Sequence, residues 1–222
     1  MGASNDPRVG RRLTIAELAG QFQLGEEQAQ RFEAYLELLV RWNARINLTA
    51  VREAEEIVHR HFAECVFAPQ QIPANVRTLL DFGSGAGLPG IPIAICRPEI
   101  AVTLAESQGK KAAFLREAVR TLGLQAEVWD RRVEQMPAER SFDAVTLRAV
   151  DKMAEACRTA VARIAAGGFL LAFATRATEP ELRRIGEVVW QEGRPVPGSE
   201  QGLLLMGIRN EPGKKPLSNP GS

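Results

Sequence analysis

The residues best suited to chemistry sit in one loop. The run TLLDF at 78–82 leads into GSGAGLPG at 83–90, and an apolar helical stretch, IPIAICR, follows. Apolar strand, glycines and then helix make a ligand-binding arrangement. Glycine lets the backbone approach a ligand closely, and ligands gather at the carboxyl ends of parallel strands. The spacing through Gly83, Gly85 and Gly87 is G-x-G-x-G. The dinucleotide fingerprint sets its last glycine one residue later, where this chain has Leu88. Asp81 stands two residues before the first glycine. A second apolar run, AVTLAE, ends in Glu106, 23 residues past Gly83. A carboxylate about 20 residues on can accept hydrogen bonds from ribose hydroxyls. The two features together point to a ligand containing adenosine. Set against them are simpler readings: a tight turn with no ligand, and a carboxylate placed beside a helix N-terminus.

The D-x-G-x-G spacing resembles the first motif of S-adenosylmethionine-dependent methyltransferases, where the acidic residue helps hold the methionine part and the glycines pass beneath it. On that reading Asp81, Gly83, Ser84, Gly85, Gly87, Leu88, Glu106 and Ser107 form most of the cofactor site. The turn Asp130-Arg131-Arg132-Val133-Glu134 after the third strand borders the adenine. The kind of transfer is narrowed by what is missing. Amino-group methylation of bases often uses an (N/D/S)PP(Y/F/W) loop after the fourth strand, and here that position reads Leu147-Arg148-Ala149-Val150. Carbon methylation of pyrimidines needs a nucleophilic cysteine. Cys96 and Cys157 fall in apolar helical contexts, where buried structural thiols are as a rule inert; Cys65 is less sharply marked but also sits in a helical pattern. A nucleophile with a free lone pair remains. Guanine N7 has no proton to lose, so positioning can carry most of the catalysis.

These residues need a scaffold, and the chain supplies its pattern. Residues 1–12 read as a flexible arm. Over 14–44, Phe32, Tyr35, Leu36, Leu39 and Val40 recur at helical spacing, with Gly25 dividing two helices. Residues 53–67 resume the helical pattern, so 13–70 form a helical N-terminal cap. From 71 to 209 strands alternate with helices: strands at 78–82, 101–106, 126–130, 142–148, 169–175 and 202–209, with helices read over 107–123, 153–168 and 181–189. That alternation predicts an α/β fold, a parallel sheet covered on both faces. The tail from 210 is rich in Pro, Gly and Lys.

A chain of 222 residues buries roughly 70% of the surface its unfolded form exposes, enough for a core without disulfide staples. Three cysteines with neither CxxC nor metal spacing suit a reducing cytoplasm, and no metal is expected. No apolar run approaches the ~20 residues that span a bilayer, and MGASNDPRVGRR has no apolar core of the secretory kind. The net charge of +1 means that any nucleic-acid contact must come from local basic patches.

Taken together, the motifs resemble those of the bacterial ribosomal RNA small-subunit methyltransferase G family, also called glucose-inhibited division protein B. The segment LLVRWNARINLTAVRE at 38–53 is similar to the family's WN-x-x-x-NLTA-x-R, and His61 to its following histidine. DFGSGAGLPGIP at 81–92 resembles its extended glycine motif. Gly109-Lys110-Lys111, Phe114-Leu115, Arg132-Val133-Glu134, Arg148-Ala149 and EPGKKPL in the tail complete the likeness. The resemblance implies a Rossmann-like class I S-adenosylmethionine-dependent methyltransferase sheet with a helical N-terminal cap. It implies methyl transfer to N7 of one guanine in 16S ribosomal RNA, free or in the 30S subunit, with no obligate protein partner inferred. Gly83, Leu88, Val133, Glu134 and Arg148 would line the cofactor, and Arg132 and Arg148 would orient the RNA. Arg131, Arg132, Lys152, Arg176, Lys214 and Lys215 form the expected basic surface. For the arginines the simpler reading is a surface ion pair; for Trp42, Asn43 and Asn47 it is packing and capping. His61 reads as a hydrogen-bonded structural histidine. Two departures stand out: Glu64-Cys65 replaces the family's Asp-Ser, and Ala174 at the end of the fifth strand replaces its lysine. Alternatives are a methyltransferase for a small molecule or protein, a nicotinamide-dependent oxidoreductase, and a nonenzymatic RNA-binding descendant.

Overall fold

The computed structural model describes residues 13–210. The N-terminal arm and the tail with Lys214 and Lys215 lie outside the described residues. Helix α1 (Ile15–Phe22) opens on a capping box in which Thr14 and Glu17 satisfy each other's backbone N–H groups. Gly25 caps α2 (Glu26–Ile46), so the division expected at that glycine is present. The stretch after it is helical but not uniform. α3 (Ala54–Ile57) passes through a π-helical turn, Val58–Phe62, into α4 (Ala63–Phe67). These helices have no core of their own. Phe32, Tyr35, Leu39 and Phe62 belong to one buried cluster with Leu79 of the sheet and with Ile93 and Phe114 of the helices that cover it.

The sheet contains β1 (Thr78–Phe82), β2 (Ala101–Ala105), β3 (Ala126–Trp129), β4 (Phe142–Leu147), β5 (Ile164–Thr175), β6 (Val188–Trp190), β7 (Arg194–Pro195) and β8 (Gly202–Arg209). Its order is β3-β2-β1-β4-β5-β8-β6, with β7 also pairing β8. Strands β1 to β5 are parallel, and α5 (Gly90–Cys96), α6 (Gly109–Thr121) and α7 (Met153–Val161) connect them. β1 is central and buried on both faces, Leu79 and Leu80 having no exposure. The carboxyl ends of β1, β2 and β4 therefore open on one side of the molecule, where the glycine loop, Glu106 and Arg148 follow.

Three expectations need correction. The sheet is not wholly parallel: β8 runs antiparallel between β5 and β6. The helix expected over 153–168 stops at Val161, and β5 begins at Ile164, which pairs with Phe142. Gly168 can take the strand position because any Cβ would lie 2.6 Å from the Asp143 carbonyl. The helix expected over 181–189 shrinks to α8 (Glu179–Leu182). Val188 and Val189 extend instead, because β-branched residues fit the pleated surface beside β8.

Candidate functional site

A cleft of about 610 Å³ opens over the carboxyl ends of β1, β2 and β4. Its walls include Gly83, Ser84, Gly85, Leu88, Glu106, Ser107, Val133, Glu134, Arg148 and the lip arginines Arg131 and Arg132. The loop below it owes its shape to glycine: Gly83, Gly85 and Gly87 all take positive φ, between 56° and 87°. Glu106, buried just past β2, locks that loop. One carboxylate oxygen accepts the Gly85 N–H at 3.0 Å and the other the Gln108 N–H at 2.7 Å, at the start of α6. A carboxylate has roughly four acceptor sites. Two are filled, and the others are left for a diol in the cleft. The helix-terminal hydrogen bond thus leaves acceptor capacity in the same side chain. With a positive-φ glycine loop, a buried acceptor of this kind and the buried apolar Val133, these residues fit an adenosine-containing cofactor.

Two of the expected cofactor residues lie elsewhere. Asp81 and Gly87 do not line the cleft. Asp81 is buried beneath the loop, where its carboxylate accepts from Gly90 N–H at 3.2 Å and Thr146 Oγ1 at 2.9 Å. Burial pushes its carboxyl up to about 6, against the lowering effect of its hydrogen bonds. Gly90 must be glycine, since a Cβ there would stand 2.6 Å from the Asp81 carboxylate. Asp81 therefore shapes the loop from below. Gly87 packs against Ile91 and donates to the Ser84 carbonyl at 2.6 Å.

The fourth wall is built by the cap. Arg148, just beyond β4, donates from Nε to Glu64 at 2.7 Å, and its Nη2 also donates to the same oxygen. That Nη2 lies 3.0 Å from His61 Nδ1, and His61 Nε2 lies 2.7 Å from Thr49 Oγ1. Asn43 holds the Thr49 turn through the Thr49 N–H and the Val51 carbonyl. Arg148 and Glu64 are only 14% and 20% exposed in their side chains, so this is a largely buried pair rather than a surface one. Glu64, one methylene longer than the family's aspartate, supplies the carboxylate of this pair. Burial, then Arg148 and Arg60, lowers the His61 imidazole to about 4, so it is neutral at pH 7. The backbone of the β4 turn is strained: Ala149 and Lys152 take φ of 53° and 52°.

The expected basic surface is partly assembled. Arg131 and Arg132 are exposed at the cleft, and Lys111, which the sequence reading left out of the basic surface, lines it too. Arg131 also lies over the Trp129 ring at 5.8 Å. Lys152 is exposed and 3.6 Å from Glu155. Arg176 follows β5 away from the cleft walls, and Ala174 is buried in that strand. Trp42 packs on Phe114 and donates to Glu117, while Asn47 ends α2 in the left-handed conformation. Thr49 and Gln108 also line the cleft, and sequence reasoning assigned neither to the site. Their types carry no signal alone; only the folded turn brings Thr49 to His61, and through it to Arg148. All three cysteines are free, burial pushes each thiol up to about 12, and none of them lines the cleft. Among the described residues no group of side chains could hold a metal ion, and no helix is long and apolar enough to cross a membrane.

A family model described as rRNA small subunit methyltransferase G matches residues 28–193. A relative named ribosomal RNA small subunit methyltransferase G, from Xanthomonas euvesicatoria pv. vesicatoria (strain 85-10), is 47% identical, across 79% of this chain and 84% of its own. One of the same name from Stenotrophomonas maltophilia (strain K279a) is 43% identical, across 76% and 79%. Among solved structures, P. horikoshii TYW2 in complex with MeSAdo aligns with a TM-score of 0.57 and 16% identity, covering 68% of this chain and 63% of that one. The T. thermophilus 16S rRNA N2 G1207 methyltransferase with AdoMet and guanosine aligns at 0.50 with 19% identity, covering 64% and 39%. These two likenesses concern the fold.

Proposed function

The chain belongs to the rRNA small subunit methyltransferase G family, and on that premise we propose that it transfers a methyl group from S-adenosylmethionine to N7 of one guanine in 16S ribosomal RNA. The observation that carries the proposal is the cleft itself, a glycine loop locked by Glu106 and facing a turn without an amino-methylation motif. When bound, S-adenosylmethionine supplies an electrophilic methyl group on a sulfonium. The chain's own residues do the rest. Glu106 accepts hydrogen bonds from the ribose hydroxyls with the acceptor sites that Gly85 and Gln108 leave open. Val133 offers an apolar surface to the adenine, beside the exposed Glu134 and Arg132. Arg148 anchors the substrate side of the cleft against the cap.

N7 attack needs no proton removed first, and the cleft agrees with that demand. Its one imidazole, His61, is held between a donor-only guanidinium and the Thr49 hydroxyl, with both nitrogens engaged. Alignment of nucleophile and methyl can lower the barrier by roughly 7–11 kcal/mol. Family membership sets aside the hydride-transfer reading and the small-molecule or protein substrate. The assembled 30S subunit and a cytoplasmic location belong to the same proposal. The test is incubation with labelled cofactor and 30S subunits from a strain lacking the modification, followed by mass mapping of the RNA. A 7-methylguanine at one position is expected. Label on a base nitrogen other than N7, or on no RNA at all, would overturn it.

A further inference from the structure

We infer that the Thr49 hydroxyl is a dedicated hydrogen-bond donor to O6 of the target guanine, and so helps select guanine over adenine. The inference rests on the methyl-transfer reading above and deepens it. Arg148 carries only donors, so His61 Nδ1, 3.0 Å from its Nη2, must accept. A neutral imidazole has one acceptor and one donor nitrogen. Nε2 therefore carries the proton and donates to Thr49 Oγ1 at 2.7 Å. The Val51 N–H donates to the same oxygen at 3.2 Å. Both lone pairs of Oγ1 are then filled, and the hydroxyl proton has no acceptor among the described residues. Thr49 is half-buried and lines the cleft beside His61 and Arg148. Its hydroxyl can donate and cannot accept.

Its place in the cleft matches that chemistry. Glu106 follows β2, while Arg148 follows β4 on the far side of β1. The Thr49 end is thus the one remote from the ribose-binding carboxylate, where the accepting base must enter. On its major-groove edge guanine offers two acceptors, N7 and O6; adenine offers N7 and an amino donor. N7 must stay free to attack, which leaves O6 for a donor. The adenine amino group would meet a hydroxyl whose lone pairs are already occupied. His61 is a positioning residue here, because it fixes which way the Thr49 proton faces.

The test deletes the hydrogen bond from both sides. 30S subunits are reconstituted with 16S RNA ligated from fragments, carrying either guanine or 2-aminopurine, which lacks O6, at the target position. Single-turnover methyl transfer by the full chain is compared for wild type, Thr49→Val and Thr49→Ser. Wild type is expected to lose roughly tenfold in rate on 2-aminopurine, the scale of one such hydrogen bond. Thr49→Val should lose a similar factor on guanine and little more on 2-aminopurine, because the two deletions remove one interaction. Thr49→Ser should retain the guanine preference. Losses that multiply in Thr49→Val overturn the inference. So does a wild type indifferent to O6, a result that needs no variant to fold. If wild type yields no 7-methylguanine on ordinary subunits, the proposed function fails instead, which keeps the two failures apart.

Discussion

Glu106 carries the sharpest consequence at the scale of single residues. It serves two backbone N–H groups and has acceptor capacity left for a ligand. Replacing it with alanine removes charge-assisted hydrogen bonds worth about 1.5–3 kcal/mol each. Calorimetry with S-adenosylhomocysteine should show affinity falling by at least tenfold for Glu106→Ala; unchanged affinity would remove Glu106 from the ribose site. Arg148 gives a different expectation. Its planar fork engages Glu64 and His61 from adjacent nitrogens. Lysine keeps the charge and loses the fork. Arg148→Lys should therefore slow methyl transfer even where the protein remains folded, whereas Arg148→Ala, which strands a largely buried Glu64, should cost about 3–5 kcal/mol of stability. Chemical denaturation and single-turnover rates together separate the two effects.

The decisive element is the helical run from Ala54 to Phe67. Its π turn contains His61 and Phe62, and π segments are frequent at functional sites. Phe62 stacks on Tyr35 at 4.9 Å and packs against Phe32, while His61 and Glu64 reach Arg148. One element thus packs inward and braces the cleft at once. α2 contributes the complementary contact: the Tyr35 hydroxyl, the chain's only phenol, donates to the Ala86 carbonyl of the glycine loop at 2.6 Å. Tyr35→Phe leaves that buried carbonyl unsatisfied, at a cost of about 1–3 kcal/mol. Thermal unfolding should show Tm lowered by roughly 2–12 °C, given about 2–4 °C per kcal/mol for a chain of this size. An unchanged Tm would mean that the loop holds its shape without the cap.

Across the whole molecule, buried Asp81 and half-buried His61 respond to acid with opposite signs. His61 is lowered to about 4 from 6.5, so between those values the unfolded chain binds a proton that the folded one refuses, and stability falls as pH drops. Asp81 is raised to about 6 from 3.8, so between those values the folded chain binds the extra proton, and stability rises as pH drops. Each is worth about 3 kcal/mol, so between pH 6 and 4 they largely offset. His61→Gln removes one of the pair. Relative to wild type, that variant should gain up to about 3 kcal/mol on passing from pH 6.5 to 4, read by denaturant melts; a constant difference would refute the His61 assignment. Association with RNA is the other whole-molecule property. Net charge is only +1, but Lys111, Arg131 and Arg132 gather at the cleft. Binding to 30S subunits should weaken as salt rises, and Arg132→Gln should flatten the log–log slope by roughly 0.7–0.9, as expected for one phosphate contact. Salt-independent binding would show that this cluster does not meet phosphate.

The strands β1 to β4, the glycine loop and Glu106 at its strand end were legible without a structure, because periodicity, glycine and spacing along one chain segment encode them locally. Sequence also separated the G-x-G-x-G loop from the dinucleotide fingerprint by the single position of Leu88. It could not tell that Asp81 faces the interior. Alternation along β1 carries no such sign when both faces are buried, and the Gly90 and Thr146 donors come from other elements. The edge of the sheet was misread over 181–189, where short segments take their conformation from pairing with β8 rather than from their own pattern. The cap was legible as helices, yet its purpose was not. Thr49, His61, Glu64 and Arg148 span 100 residues of sequence, counted from the first to the last. Their types and separations specify no contact. Only tertiary packing joins them, because the direction of each hydrogen bond depends on which donor lies opposite.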